Sequence, residues 1–61
     1  MEDYQERVTR ERADLEAKII KLTQFLDSDI KIGNREETLL KEQRHFMLRY
    51  LHILNERIML F

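Results

Sequence analysis

Apolar side chains in the first half of the chain recur at intervals of three, four and seven residues. This spacing places them on one narrow stripe of an α-helix. The members of the stripe are Tyr4, Val8, Leu15, Ile19, Leu22 and Leu26, with Phe25 beside it. Because Glu11 and Arg12 interrupt the stripe, this half of the chain predicts an amphipathic helix with a limited apolar face.

The second half of the chain carries two apolar rows, each with a seven-residue period. One row contains Leu40, Met47, Leu54 and Phe61, and the other contains Leu39, Phe46, Ile53 and Leu60. Leu48, Leu51, Ile58 and Met59 widen the apolar arc. One partner helix cannot cover such an arc, so we expect a second chain to cover the surplus face. The predicted oligomer interface consists of Phe46, Met47, Tyr50, Leu51, Ile53, Leu54 and Ile58.

Helical periodicity lapses only around Gly33, the single glycine of a chain that has no proline. Small polar residues collect there between Asp27 and Asn34, and Ser28 among them suits turn or capping chemistry. We therefore predict helix 1 over about residues 3–27, a turn over about 28–34 and helix 2 over about 35–60. The predicted fold is one all-α domain, residues 1–61, an antiparallel two-helix hairpin that assembles into a symmetric homo-oligomer.

Both predicted helices begin with a capping-box pattern. Asp3 with Glu6, and Asn34 with Glu37, place a side-chain acceptor three residues before an acidic residue. We expect each cap residue to accept a hydrogen bond from the first turn of its helix.

Size and composition also favour association. A domain of 61 residues is marginally stable alone, and a chain without cysteine has neither disulfides nor thiolate metal sites. The formal net charge is -1, so no overall basic excess attracts DNA or an anionic membrane. No apolar run approaches the ~20 residues of a membrane span, and acidic residues follow Met1 where a signal peptide would be basic. We expect a soluble intracellular protein.

The inventory of reactive side chains argues against catalysis. His45 and His52 are seven residues apart, roughly 10 Å along a helix, which is too far for one metal ion to bridge within a chain. Neither has a serine or cysteine nucleophile beside it, and one glycine cannot build a phosphate loop. We predict no enzyme activity, no catalytic residue, no metal and no cofactor.

Basic residues line the predicted helix 1 in two pairs, each with a spacing of three. The pairs are Arg7 with Arg10 and Lys18 with Lys21, and Tyr4 and Phe25 lie near the two ends. A cation beside an aromatic ring can bind a phosphorylated base, but a solvent-exposed charged helix face has the same residue pattern. On helix 2, Gln43, Tyr50 and Arg57 share one line, where they can fix the register between chains or contact a ligand.

Helix 2 contains the pattern L-L-x-x-Q-x-x-x-M-x-x-Y-x-x-I-L-x-x-R. It is formed by Leu39-Leu40, Gln43, Met47, Tyr50, Ile53-Leu54 and Arg57, and Ile20-Lys21-Leu22, Phe25-Leu26 and Ser28 add to it upstream. In this pattern the chain resembles the small phage hairpin family that includes the anti-CBASS cyclic-nucleotide sponge and is related to a Thoeris anti-defence sponge. Most matched positions form the core, so the resemblance is more specific for fold than for ligand.

The resemblance implies a phage protein in the cytoplasm of the infected bacterium. It implies an oligomer, a hexamer in the anti-CBASS case, that sequesters cyclic di- or trinucleotides or messengers of the cyclic ADP-ribose type without cleaving them. Pockets would lie between protomers, with Tyr4 stacking on a base and Lys18 or Lys21 meeting phosphates. The predicted ligand-binding residues are Tyr4, Arg7, Lys18, Lys21 and Arg57.

Two other functions fit the same sequence. The wide apolar face of helix 2 can dock a helix of a foreign protein. The basic residues of helix 1 can bind RNA, although the acidic residues interleaved with them oppose it.

Overall fold

The computed structural model describes residues 3–61, which form two α-helices that pack against each other as a hairpin. Helix α1 spans Tyr4–Leu26 and helix α2 spans Asn34–Met59. The hairpin measures 44 × 18 × 15 Å, close to the length of one helix with its caps. The all-α hairpin predicted from the sequence is confirmed.

A small core lies along the line where the helices meet. Among the described residues, the buried apolar side chains are Val8, Leu15 and Ile19 of α1 and Leu54 of α2. Met47, Leu51 and Ile58 of α2 are partly buried against them. Leu54 has no exposed surface at all, because the α1 stripe covers it from one side and its own helix from the other. The core therefore has one central side chain and little depth.

One polar contact crosses between the helices near this core. The Nε of Arg12 donates a hydrogen bond to Oδ1 of Asn55 over 2.6 Å, and a second guanidinium nitrogen lies 3.5 Å from the Glu16 carboxylate. Arg12 interrupts the apolar stripe in sequence, and the fold uses it to bridge the helices. A partly buried charged hydrogen bond of this kind has directional geometry, so it restricts sliding of α1 along α2.

The two helix starts differ from each other. The Asp3 side chain accepts from the backbone N–H of Glu6 at 2.9 Å, as its capping-box pattern predicted. The second capping box is wrong: Asn34 lies inside α2 as its first residue, and the N-cap is Gly33, which has no side chain to accept a hydrogen bond. Glu36 and Glu37 still occupy the first turn, where the helix dipole favours negative charge.

Residues 27–33 connect the helices. The Ser28 hydroxyl donates to the Phe25 carbonyl at 2.6 Å, so Ser28 does serve the end of α1. Gly33 has φ -64° and ψ 153°, an extended conformation that any residue adopts, and open space surrounds the position where a Cβ would lie. The turn therefore uses Gly33 as a helix cap and makes no use of its conformational freedom.

The outer side of α2 stays uncovered by α1. We call it the outer seam, defined by Leu39, Gln43, Phe46, Tyr50, Ile53, Arg57 and Leu60, all of which are exposed. Its four aliphatic or phenyl side chains are 44%, 65%, 56% and 85% exposed in chain order. The second helix thus carries apolar surface that the first does not cover.

The predicted interface set divides between these two faces. The assignment of Leu54 to the interface is corrected, because its side chain is fully enclosed within one chain and cannot contact another. Met47, Leu51 and Ile58 pack mainly on the hairpin core. Phe46, Tyr50 and Ile53 belong to the outer seam and are open to a partner.

Replacing Leu54 by alanine should lower the free energy of unfolding by about 2 to 5 kcal/mol, because it leaves a cavity at the centre of a thin core. Ile20→Ala is the matched control: its side chain is exposed on α1 away from the outer seam, and the change should be within about 0.5 kcal/mol. Urea unfolding followed by circular dichroism at one fixed protein concentration measures both. Equal losses in the two variants would contradict this core.

Gly33→Ser should stabilise the hairpin by about 0.5 to 1 kcal/mol. The serine hydroxyl can accept from the first turn of α2, and the unfolded chain loses conformational freedom. Gly33→Ala restricts the unfolded chain in the same way but supplies no acceptor, and alanine is a poorer N-cap residue than glycine, so the serine variant should exceed both others in stability. Thermal unfolding of the three chains checks this; a serine variant no more stable than the alanine variant would contradict a cap role for residue 33.

Candidate functional site

A shallow groove runs along α1 beside the ring of Tyr50. It encloses about 330 Å³ and is lined by Arg7, Arg10, Glu11, Asp14, Leu15, Lys18 and Tyr50. Ligand sites in proteins commonly enclose 300 to 1,000 Å³, so one chain provides a groove at the small end of that range. We call this the α1 groove.

The helical repeat brings these side chains together. Arg7, Glu11, Asp14 and Lys18 follow one another at spacings of four, three and four, so they form a single row on α1. The row lies beside buried Leu15, which contributes to the floor of the groove. The wall opposite the row comes from α2 through Tyr50.

Tyr50 has this position because of its neighbours in α2. It lies three residues after Met47 and four before Leu54, both of which pack on the core. The tyrosine therefore stands at the edge of the buried face, 43% exposed, with its ring towards the polar row of α1. A half-exposed aromatic ring beside cations can stack on a planar ligand.

The charges of the α1 groove are mixed, with three cations and two carboxylates. Elsewhere on the helices, Lys41 lies 3.1 Å from Glu37 and Arg12 lies 3.5 Å from Glu16, each four residues away along the same helix. Within the described part of the chain, by contrast, Lys18 makes no ion pair, even though Asp14 is four residues before it. The ammonium group of Lys18 is therefore available to an anion.

The predicted ligand-binding residues fall into separate places. Arg7 and Lys18 line the α1 groove, whereas Lys21, Tyr4 and Arg57 do not. Lys21 is one helical turn beyond Lys18 towards the connection. Tyr4 and Arg57 lie at the open end of the hairpin, where α1 starts and α2 ends.

Tyr4 has a ring partner at that end. Its ring centroid lies 5.6 Å from that of Phe61 with the planes at 86°, an edge-to-face contact. Tyr4 and Lys18 are separated by about 21 Å along α1. A single nucleotide cannot contact both within one chain, so the two roles that the resemblance implies can combine only if neighbouring chains contribute them.

The sequence favours Tyr50 as an interface residue, with ligand contact as the alternative, and does not predict its place in this groove. The signal was available: a tyrosine between two core positions of α2 lies at a boundary between buried and exposed surface, where its ring is covered and its edge is free. In the sequence, Glu11 interrupts the apolar stripe, and Asp14 with Lys18 four residues later is typical of a solvated helix face. Their place in the groove depends on which face of α1 meets α2, which the spacing leaves open.

A second hollow lies on the outer face of α2, with a volume of about 430 Å³, and includes both histidines. The ring of His45 packs edge-on against Phe46, and Nε2 of His52 lies 3.7 Å from a carboxylate oxygen of Glu56. Within residues 3–61, no three side chains of His, Cys, Asp or Glu are grouped so that they could hold a metal ion. Neither α1 nor α2 combines the length and the apolar character that crossing a bilayer requires.

A family model described as Sequestin matches residues 2–60, nearly the whole chain. No curated protein and no solved structure matches. The match includes both helices, the connection, the α1 groove and the outer seam.

The contact of Tyr4 with Phe61 should hold the open end of the hairpin together. Phe61→Ala removes an aromatic pair with a contribution of about 0.5 to 1.5 kcal/mol, so amide hydrogens in the first two turns of α1 should exchange several-fold faster. Met59→Ala is the control, since Met59 is a large apolar residue near the same terminus and is 77% exposed. Hydrogen exchange by NMR reads each amide; equal acceleration in both variants would show that the ring contact contributes nothing specific.

Proposed function

The chain belongs to the Sequestin family, a family of sequestering and non-catalytic proteins, and from this premise we propose that it binds cyclic nucleotide messengers of bacterial immunity. It holds them without cleaving them and so lowers their free concentration. The single observation that carries the choice of ligand is the α1 groove, in which the cations Arg7 and Lys18 accompany the ring of Tyr50.

The chemistry of the groove suits a cyclic nucleotide. A cyclic nucleotide offers phosphodiester or pyrophosphate anions and one or more planar bases. Arg7 can donate two parallel hydrogen bonds to phosphate oxygens, and Lys18 adds a point charge. The ring of Tyr50 offers a surface on which a base can stack. Glu11 and Asp14 can accept from ribose hydroxyls or base amino groups, while they disfavour a ligand of very high negative charge.

A single α1 groove is one-sided, and tight capture needs enclosure. Free messenger falls to a negligible level when binding sites exceed ligand and Kd is near 1 nM, about -12.3 kcal/mol. A groove of about 330 Å³ that is open to water cannot desolvate a dinucleotide. We therefore propose a homo-oligomer in which a neighbouring chain closes the groove, and the resemblance to the anti-CBASS sponge favours a hexamer.

In such an assembly the residues that are separated within one chain can meet between chains. Tyr4 and Arg57 lie at the open end, whereas Lys21 lies towards the connection. An antiparallel neighbour brings the open end of one chain towards the lysines of the other, which would supply a second stacking ring and a second cation. The ligand set Tyr4, Arg7, Lys18, Lys21 and Arg57 then belongs to an interface.

We propose that the protein acts during phage infection, in the bacterial cytoplasm, against CBASS or Thoeris signalling; its family membership and the resemblance support this proposal. One observation favours a different function. The outer seam exposes enough apolar surface to dock a helix of a foreign protein, so a protein-interaction module is the second candidate.

Arg7→Glu and Lys18→Glu should each weaken binding of the messenger about 10- to 100-fold, because each loses a charge-assisted hydrogen bond and gains a repulsive carboxylate. Asp14→Asn should strengthen binding, since it removes a carboxylate from the groove. Calorimetric titration against a panel of cyclic dinucleotides, cyclic trinucleotides and cyclic ADP-ribose isomers measures all three variants.

Lys31→Glu is the matched control, because it makes the same charge change on the connection between the helices, and its affinity should be unchanged. If one ligand binds and the Arg7 and Lys18 variants bind it as tightly as the unmodified chain, the α1 groove is not the site. If no member of the panel binds the unmodified chain, the messenger proposal fails and the protein-interaction module becomes the better account.

A further inference from the structure

The outer seam has the spacing of a coiled-coil contact line. Its members alternate at intervals of four and three residues from Leu39 to Leu60, which is an average period of 3.5. At 1.5 Å per residue the line is about 32 Å long. All seven side chains are exposed, because α1 packs on the adjacent face of α2, which carries Met47, Leu51, Leu54 and Ile58. The seam is therefore a complete helix-packing surface that the hairpin itself leaves unused.

The order of residues along the seam indicates what covers it. Read from either end, the seam is centred on Tyr50, with Phe46 and Ile53 next to the centre. Gln43 and Arg57 follow on the two sides, and Leu39 and Leu60 are outermost. If a second copy lies antiparallel, Phe46 of one copy faces Ile53 of the other, and Leu39 faces Leu60. The guanidinium of Arg57 then faces the carboxamide of Gln43, whose oxygen can accept a hydrogen bond from it.

The parallel alternative is less favourable for a specific reason. It would set Arg57 against Arg57, two like charges at a line that association removes from water. No ion pair with any described residue offsets the charge of Arg57 within the chain. A helix of unrelated sequence would need its own polar group at the same height to satisfy Arg57, whereas a second copy of this chain brings one in Gln43.

We propose that the outer seam is the interface of a two-fold symmetric, antiparallel homodimer centred on Tyr50. Each copy then contributes the same surface, as an isologous contact requires. Tyr50 also lines the α1 groove, so the two-fold axis of the proposed dimer passes beside the grooves of both chains. Side chains of each copy would then border the open side of the groove in the other copy. This arrangement specifies the assembly on which the proposed function relies, although it needs no nucleotide.

Disulfide trapping tests the register, and the chain suits it because it contains no cysteine. Phe46→Cys and Ile53→Cys chains are mixed, oxidised and analysed by intact mass, with no nucleotide present. The antiparallel register predicts mixed dimers well above the share that random pairing gives. Like chains should cross-link poorly, since two copies of residue 46 would be about 10 Å apart along the helix, beyond the reach of a disulfide.

Ile20→Cys serves as the control for random collision, since Ile20 is exposed on α1 outside the seam. Preferential pairing of like chains at both positions would mean a parallel interface and would overturn the proposal. Cross-linking no higher than that of the Ile20→Cys chain would show that the seam does not bind a second copy, which would favour a foreign partner.

Phe46→Lys gives a measurement that does not depend on oxidation. The side chain lies outside the hairpin core, so helix content by circular dichroism should persist while sedimentation shifts towards a smaller species. Unchanged sedimentation would also overturn the proposal. A seam that fails both tests in a chain that still binds nucleotide would leave the proposed function standing with another assembly. A trapped antiparallel dimer that binds no nucleotide would support the proposed interface and contradict the proposed function.

Discussion

The structure depends on an imbalance of apolar surface between its two helices. Helix α1 offers one narrow stripe, and the described core reduces to Val8, Leu15 and Ile19 closing over Leu54. Burial of these aliphatic side chains contributes roughly 1.5 to 3 kcal/mol each. Because folding must also overcome the conformational entropy of the chain, the lone hairpin keeps only a small net free energy of folding. Among the described residues, α2 still exposes large apolar side chains, and in the proposed dimer a second copy covers part of this surface and adds to the stability.

The same imbalance locates the candidate site. Because α1 covers α2 along one side only, the polar row of α1 lies next to the border of the outer seam, and Tyr50 belongs to both surfaces. In the proposed assembly, association and ligand capture therefore use neighbouring surfaces. A hairpin too thin to enclose a ligand would then gain an enclosed site, because a neighbouring chain would supply the missing wall of each groove.

Much of the fold follows from spacing alone. The two apolar patterns with helical period and the lapse of periodicity around Gly33 predicted a hairpin, and the Asp3 cap and the Ser28 turn are where the local patterns place them. Spacing could not decide which row of α2 meets α1, and so Leu54 was assigned to an interface although it is the most enclosed residue of the core. The second helix start was misplaced by one residue because Gly33 and Asn34 are both acceptable caps, and only backbone angles separate them.

The site was less accessible to sequence reasoning. Arg7 and Lys18 could be chosen for their charge and periodicity, but the distance between Tyr4 and Lys18 becomes decisive only when both are placed on one continuous helix. Whether separated residues form one pocket depends on contacts between chains, and a pattern along one chain does not contain them. The bridging role of Arg12 is a similar case, since its partner Asn55 is 43 residues away.

Native mass spectrometry of the unmodified protein, with and without cyclic nucleotides, measures the number of chains and the retained ligand together. We expect a discrete homo-oligomer with an even number of chains that retains a whole-number stoichiometry of one nucleotide class and releases it with unchanged mass on denaturation. A folded monomer at micromolar concentration that retains no nucleotide would contradict it, and so would release of a cleaved nucleotide.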